Sequence, residues 1–125
     1  MSMIDAVDSY LDSAGIYTDW QSQLQLWRDT DVANDRFIVL QTSGGTALTP
    51  GLGADYYFSI FVIGRRGMPD IQECGDKANE IIEHIKNNGV DKCLGHIQMQ
   101  SPLGQPSLTE EKRVVYELLV RVVRS

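Results

Sequence analysis

Cys74, His84, Cys93 and His96 are the soft ligands of this chain, and a metal site is the first chemistry they suggest. Their spacing contains none of the close C-x₂₋₄-C steps that draw ligands together in zinc knuckles, fingers and ribbons. Cys74 falls on an apolar stripe, so buried, inert thiols account for the cysteines better than a metal centre does. Asp29, Asp31 and Asp35 have part of the spacing of a calcium loop. That loop needs an oxygen ligand at position 33 and a glycine at 34, where this chain has Ala33 and Asn34, and the closing glutamate is missing. A plain acidic turn is the expectation. The run Thr42-Ser43-Gly44-Gly45-Thr46 has the small residues of a phosphate cradle. It lacks the Gly-Lys-Ser/Thr ending, however, and leads into Pro50 instead of a helix start. Ser43 and Ser59 have no histidine that the sequence would pair with them as a base. No catalytic, cofactor-binding or metal-ligating set emerges, and the chemistry expected of this chain is that of surfaces rather than of an enzyme.

The bulk properties agree with that. At 125 residues and 14.0 kDa the chain has the length of one domain, taken as residues 1–125. It is long enough to support a core without disulfides or metals. No apolar stretch approaches the ~20 residues of a membrane span. The start MSMIDAVDSYLDSAG carries acids where a signal peptide carries a basic end, so export is not expected. Two cysteines are too few for a disulfide framework, and a reducing cytoplasm is the simplest setting. The net charge of −6 sits wholly in residues 1–35, where seven aspartates face Arg28 alone; the remainder balances. Such a leading segment argues against binding nucleic acid there, since phosphate contact is made chiefly by lysine and arginine.

The elements that would position any surface follow from periodicity. Ile4, Val7, Tyr10, Leu11 and Ala14 recur at helical spacing over residues 3–14, with Ser2 available as a cap and Gly15 as a stop. Gln23 to Trp27 alternates like a short strand, and residues 29–35 read as a turn-rich connection. Residues 36–43 and 55–64 are strands by their β-branched and aromatic content, joined by the glycine-rich, uncharged stretch 44–53. The second of these is apolar on both faces, as in a central strand covered on two sides, or on one side by a helix and on the other by another subunit. After Met68-Pro69-Asp70, a stripe of Ile71, Cys74, Ala78, Ile81, Ile82 and Ile85 predicts a long helix ending at Asn87-Asn88-Gly89. Residues 96–100 alternate as a strand. Residues 109–124 fit either a helix or a strand, and five valines favour the strand. The expected fold is α+β: a mixed, mainly antiparallel sheet of four to five strands with two main helices packed on it, in the order α–(β)–β–β–α–β–β.

That layout, with DRFIVLQTSGG, a loose loop, DYYFSIFVIG, a long amphipathic helix and a closing strand pair, resembles the tail terminator proteins of long-tailed bacteriophages, the phage lambda family in particular. The resemblance covers nearly the whole chain and lies in element order and strand texture. It implies a structural protein of a phage or prophage that forms a ring, a hexamer in that family, on the growing end of the tail tube. The ring stops polymerisation and provides the surface that joins tail to head. The implied partners are copies of the chain itself, the tail-tube protein and a head-completion or connector protein. DNA would pass through the lumen without being read, and no cofactor or membrane is implied. The implied location is the head–tail junction of the virion, with assembly in the host cytoplasm. The competing readings are a neck, head-completion or tail-tube subunit, and a small ligand-binding α+β domain. Interface residues do not transfer from a resemblance of this kind. The chain itself nominates Thr46, Leu48 and Leu52 in the loop, Arg65 and Arg66 beyond the second strand, and Asp29, Asp31 and Asp35 as opposite charges for them. Reversing the charge of Arg65 and Arg66 is expected to spare folding and abolish ring formation or docking.

Overall fold

In a computed structural model, residues 3–45, 54–67, 70–92, 94–110 and 112–124 are described. Ser2, Thr46, Leu48, Pro50, Leu52, Met68, Pro69 and Cys93 therefore lie outside the described residues. The first apolar stripe forms α1, Met3–Ser13, which turns Ala6, Val7, Tyr10 and Leu11 inward. Gly15, at φ +76°, supplies the left-handed residue that ends it. The second stripe forms α2, Ile71–Asn87, burying Cys74, Ala78, Ile81 and Ile85. Both helices pack on the same face of one sheet.

The strands are β1 (Gln21–Leu24), β2 (Phe37–Gly45), β3 (Ala54–Ile63), β4 (Val90–Asp91), β5 (Gly95–Met99), β6 (Ser107–Leu108) and β7 (Val114–Arg124). Their order across the sheet is β1-β2-β3-β7-β5-β4, with β6 pairing the start of β7. β1 runs parallel to β2 and every other pairing is antiparallel, so the sheet is mixed. The α+β class stands, but the expected four to five strands become seven. The difference comes from β4 and β6, two residues each, which are too short to show any period. β1 is also displaced from the expected 23–27. Gln25 takes φ +69° and turns the chain out of line, and its side chain continues the pairing instead: Gln25 Oε1 accepts from the Thr42 amide at 3.1 Å.

Residues 114–124 are a strand, as their valines favour. Val114, Tyr116, Leu118, Val120 and Val122 are buried against the helices together with Phe58, Ile60 and Val62 of β3 and Ile38 and Leu40 of β2. The opposite face of the sheet has a second, smaller cluster of Phe37, Val39 and Ile63, and Trp27, Phe61 and Val115 pack on it. The two-sided apolar character of β3 thus has a partly local cause: the connection from Gln25 to Arg36 folds over one end of the far face. The rest of that face carries Gln41, Ser59 and Tyr57 beside Leu119 and Arg121.

Candidate functional site

The β2–β3 hairpin sets the geometry of the nominated surface. Gly45 and Ala54 lie at one end of it, where residues 46–53 connect the strands; Phe37 and Ile63 lie at the other, where β3 runs into Gly64, Arg65 and Arg66. Ten residues of β3 at ~3.3 Å per residue separate the two ends by about 30 Å. The loop nominations Thr46, Leu48 and Leu52 fall at the first end and outside the described residues. The charged nominations all meet at the second end.

What draws the acidic turn there is Arg113, which no local pattern marks. Its side chain is fully buried at the entrance to β7, and all five of its N–H groups are used. Nε and Nη2 donate to the two oxygens of Asp29, each at 3.1 Å, in the bidentate fork that matches guanidinium to carboxylate. Nη1 donates to the carbonyls of Asp35 at 2.6 Å and Gly64 at 2.9 Å, and Nη2 donates to that of Val32 at 2.9 Å. The guanidinium also lies over the Phe37 ring, 5.1 Å from its centroid. One side chain thus fastens the connection 29–35 to the ends of β3 and β7. A buried charge is tolerated only when paired and hydrogen-bonded, and here the acidic turn supplies both.

Arg66 adds a second tie. Its amide donates to the Ala33 carbonyl at 2.8 Å, and Nη2 reaches Asp31 at 3.1 Å and Asp29 at 3.5 Å. Burial would raise the Asp29 pKa, but the Asp31 amide, Arg113 and Arg66 outweigh it and hold the carboxyl below the usual range. Asp31 takes φ +62° and is largely exposed, with its amide donating to Asp29 Oδ1 at 2.9 Å. Asp35 accepts from the Thr30 hydroxyl at 2.6 Å. The calcium-loop spacing is therefore occupied by arginines and turn hydrogen bonds. The opposite charges nominated for contact between subunits also pair within one subunit.

Arg65 is committed as well. Its amide, Nε and Nη2 all donate to Asp70, whose side chain is 1 % exposed. Asp70 stands at the N-cap of α2 yet makes no side-chain cap, because its carboxylate is turned toward Arg65. The Arg65 hydrogen bonds hold the Asp70 pKa below the usual range, against the opposing effect of burial. Gly64 makes this approach possible: a Cβ there would come within 2.8 Å of Asp70 Cβ and 2.9 Å of Cys74 Sγ. Charge reversal at Arg65 would strand a buried carboxylate, so a loss of stability is the outcome expected at this residue.

The remaining candidates do not converge. Cys74 is buried, and desolvation, then Asp70 and Glu73, push its thiol up to about 12, which leaves it protonated and unreactive. His84 lies on α2 against the Tyr10 ring, with centroids 4.9 Å apart, whereas His96 is exposed on β5. The Ser59 hydroxyl donates to Glu117 at 2.9 Å, on the face away from the helices. Trp20 is flanked by Arg36 and Lys77 on the helix side, while Trp27 meets Phe37 edge-on at 5.8 Å on the other. Only pattern-free features escaped the sequence reading. Arg113 sits 84 residues from Asp29, and nothing local marks the pair.

A family model described as phage tail termination protein matches residues 1–125. No curated protein matches the chain. One solved structure is similar with a TM-score of 0.51 and 16% identity, covering 100% of this chain and 97% of that one. At that identity the likeness speaks to the fold alone.

Proposed function

Because the chain belongs to the phage tail termination protein family, whose members are structural components of the virion tail and not enzymes, we propose that it closes into a ring on the tip of the growing tail tube, ends polymerisation and presents the surface that receives the head. The observation that carries this is the family match along the entire chain. The geometry supports it. Heterologous contacts that close into a ring need two different patches on one subunit. The ends of the β2–β3 hairpin differ in this way, with an uncharged connection at one and the arginine–aspartate cluster at the other. The acidic leading segment suits a lumen that DNA must traverse without being held. The tail-tube protein and a head-completion protein are the partners of this reading.

The test is genetic and visual. Deleting the gene is expected to yield tubes of irregular, extended length and no joined particles, and a plasmid copy should restore a single length. Negative-stain images of purified protein mixed with tubes should show a ring at one tip. Tubes of uniform length without the gene, or rings found on heads but never on tubes, would overturn the reading.

A further inference from the structure

At the charged end of the sheet, Ile71, Pro106, Ser107, Leu108 and Val114 line an open groove of about 390 Å³. That volume lies in the range of roughly 300–1,000 Å³ that seats small ligands, so it has room for a few apolar side chains. Ile71 is 54 % exposed and Leu108 65 %, although both are large aliphatic residues on ordered elements. Among the described residues β6 pairs only with β7, so its other edge is open there. Water is a poor permanent occupant for such a surface.

The chain has one segment of matching chemistry. Residues 46–53 read TALTPGLG, with no charge and with Leu48, Pro50 and Leu52. Neither this segment nor the lining of the groove carries an ionisable side chain. The segment cannot serve its own groove. Anchored at Gly45 and Ala54, it can extend at most half its contour, about 16 Å at ~3.5 Å per residue. The groove opens beside Val114, which pairs with Leu108 at the opposite end of β7 from Arg124, the partner of Ala54. The separation along the strands is about 30 Å. The occupant must be the segment of another copy.

The geometry points to a head-to-tail contact in which Leu48 and Leu52 of one copy enter the groove between Ile71 and Leu108 of the next. This inference rests on the ring reading above and specifies the joint that would close the ring. Every copy donates one segment and accepts one, so the contact propagates without self-pairing.

The experiment uses full-length chains carrying Cys93→Ser, so that the remaining native thiol, Cys74, is buried. Chains with Leu48→Cys and chains with Leu108→Cys are purified separately, then added to tail tubes alone or mixed, and oxidised. A disulfide-linked dimer in the mixture, absent from each variant alone, is the expected result. Ile71→Cys replaces Leu108→Cys if the latter fails to fold. In parallel, Leu108→Glu should raise the protein concentration needed for half-maximal capping at least tenfold. A link formed by Leu48→Cys alone would mean that like segments meet, which overturns the inference. Rings that form while neither groove cysteine links to Leu48→Cys overturn the groove contact and leave the ring reading standing. Loss of both rings and links from tubes capped by no variant, with the unmodified protein also failing to cap, sinks the two together.

Discussion

Arg113 shows how one buried residue can decide the state of a whole surface. Five hydrogen bonds and an aromatic face hold it, and three of the bonds go to backbone carbonyls of the segments it joins. Arg113→Met is expected to cost about 3–5 kcal/mol in urea denaturation, the range for breaking a buried ionic network on one side. Arg113→Lys should recover little of it, because an ammonium carries three donors and cannot match the bidentate fork. A loss below ~1 kcal/mol for either variant would mean that the connection 29–35 is held by something else.

At the scale of elements, the Arg65–Asp70 pair joins the exit of β3 to the entrance of α2, and with Asp29 it gives the fold an acid limit. Both carboxyls have folded-state pKa values lowered below the unfolded value of about 3.9. Their contribution is therefore present in full well above pH 4, and it is lost as pH falls through 3.9 toward the folded values. Asp70→Asn should lower stability at neutral pH and make the acid limb of a stability–pH curve shallower by up to ~1.4 kcal/mol per pH unit, the worth of one proton. An unchanged slope would remove Asp70 from that account. Elements with a sustained period were legible in the sequence: the α1 and α2 stripes, the β2–β3 hairpin, and β7 through its valines. The two-residue strands were not, since they exist only because β5 and β7 offer an edge. The tie between residues 29 and 113 was also hidden, because spacing of 84 residues carries no local signal. Charge alone marks residues 29–35 as an acidic turn, and only the fold shows that Arg113 meets it beside Arg66 while Arg65 turns to Asp70.

For the molecule as a whole, the sheet separates two environments that happen to hold one indole each. Trp20 joins the large helix-side cluster, and Trp27 covers the small cluster beyond the sheet. Variants keeping a single tryptophan, Trp20→Phe or Trp27→Phe, would therefore emit from opposite sides of the protein. In the Arg113→Met background the Trp27 signal is expected to shift to the red at a lower denaturant concentration than the Trp20 signal, because the connection it belongs to has lost its fastening. Coincident transitions would mean that both sides melt as one cooperative unit. The chain thus carries its own pair of optical reporters, able to distinguish a loosened flap from a collapsed protein without any attached dye.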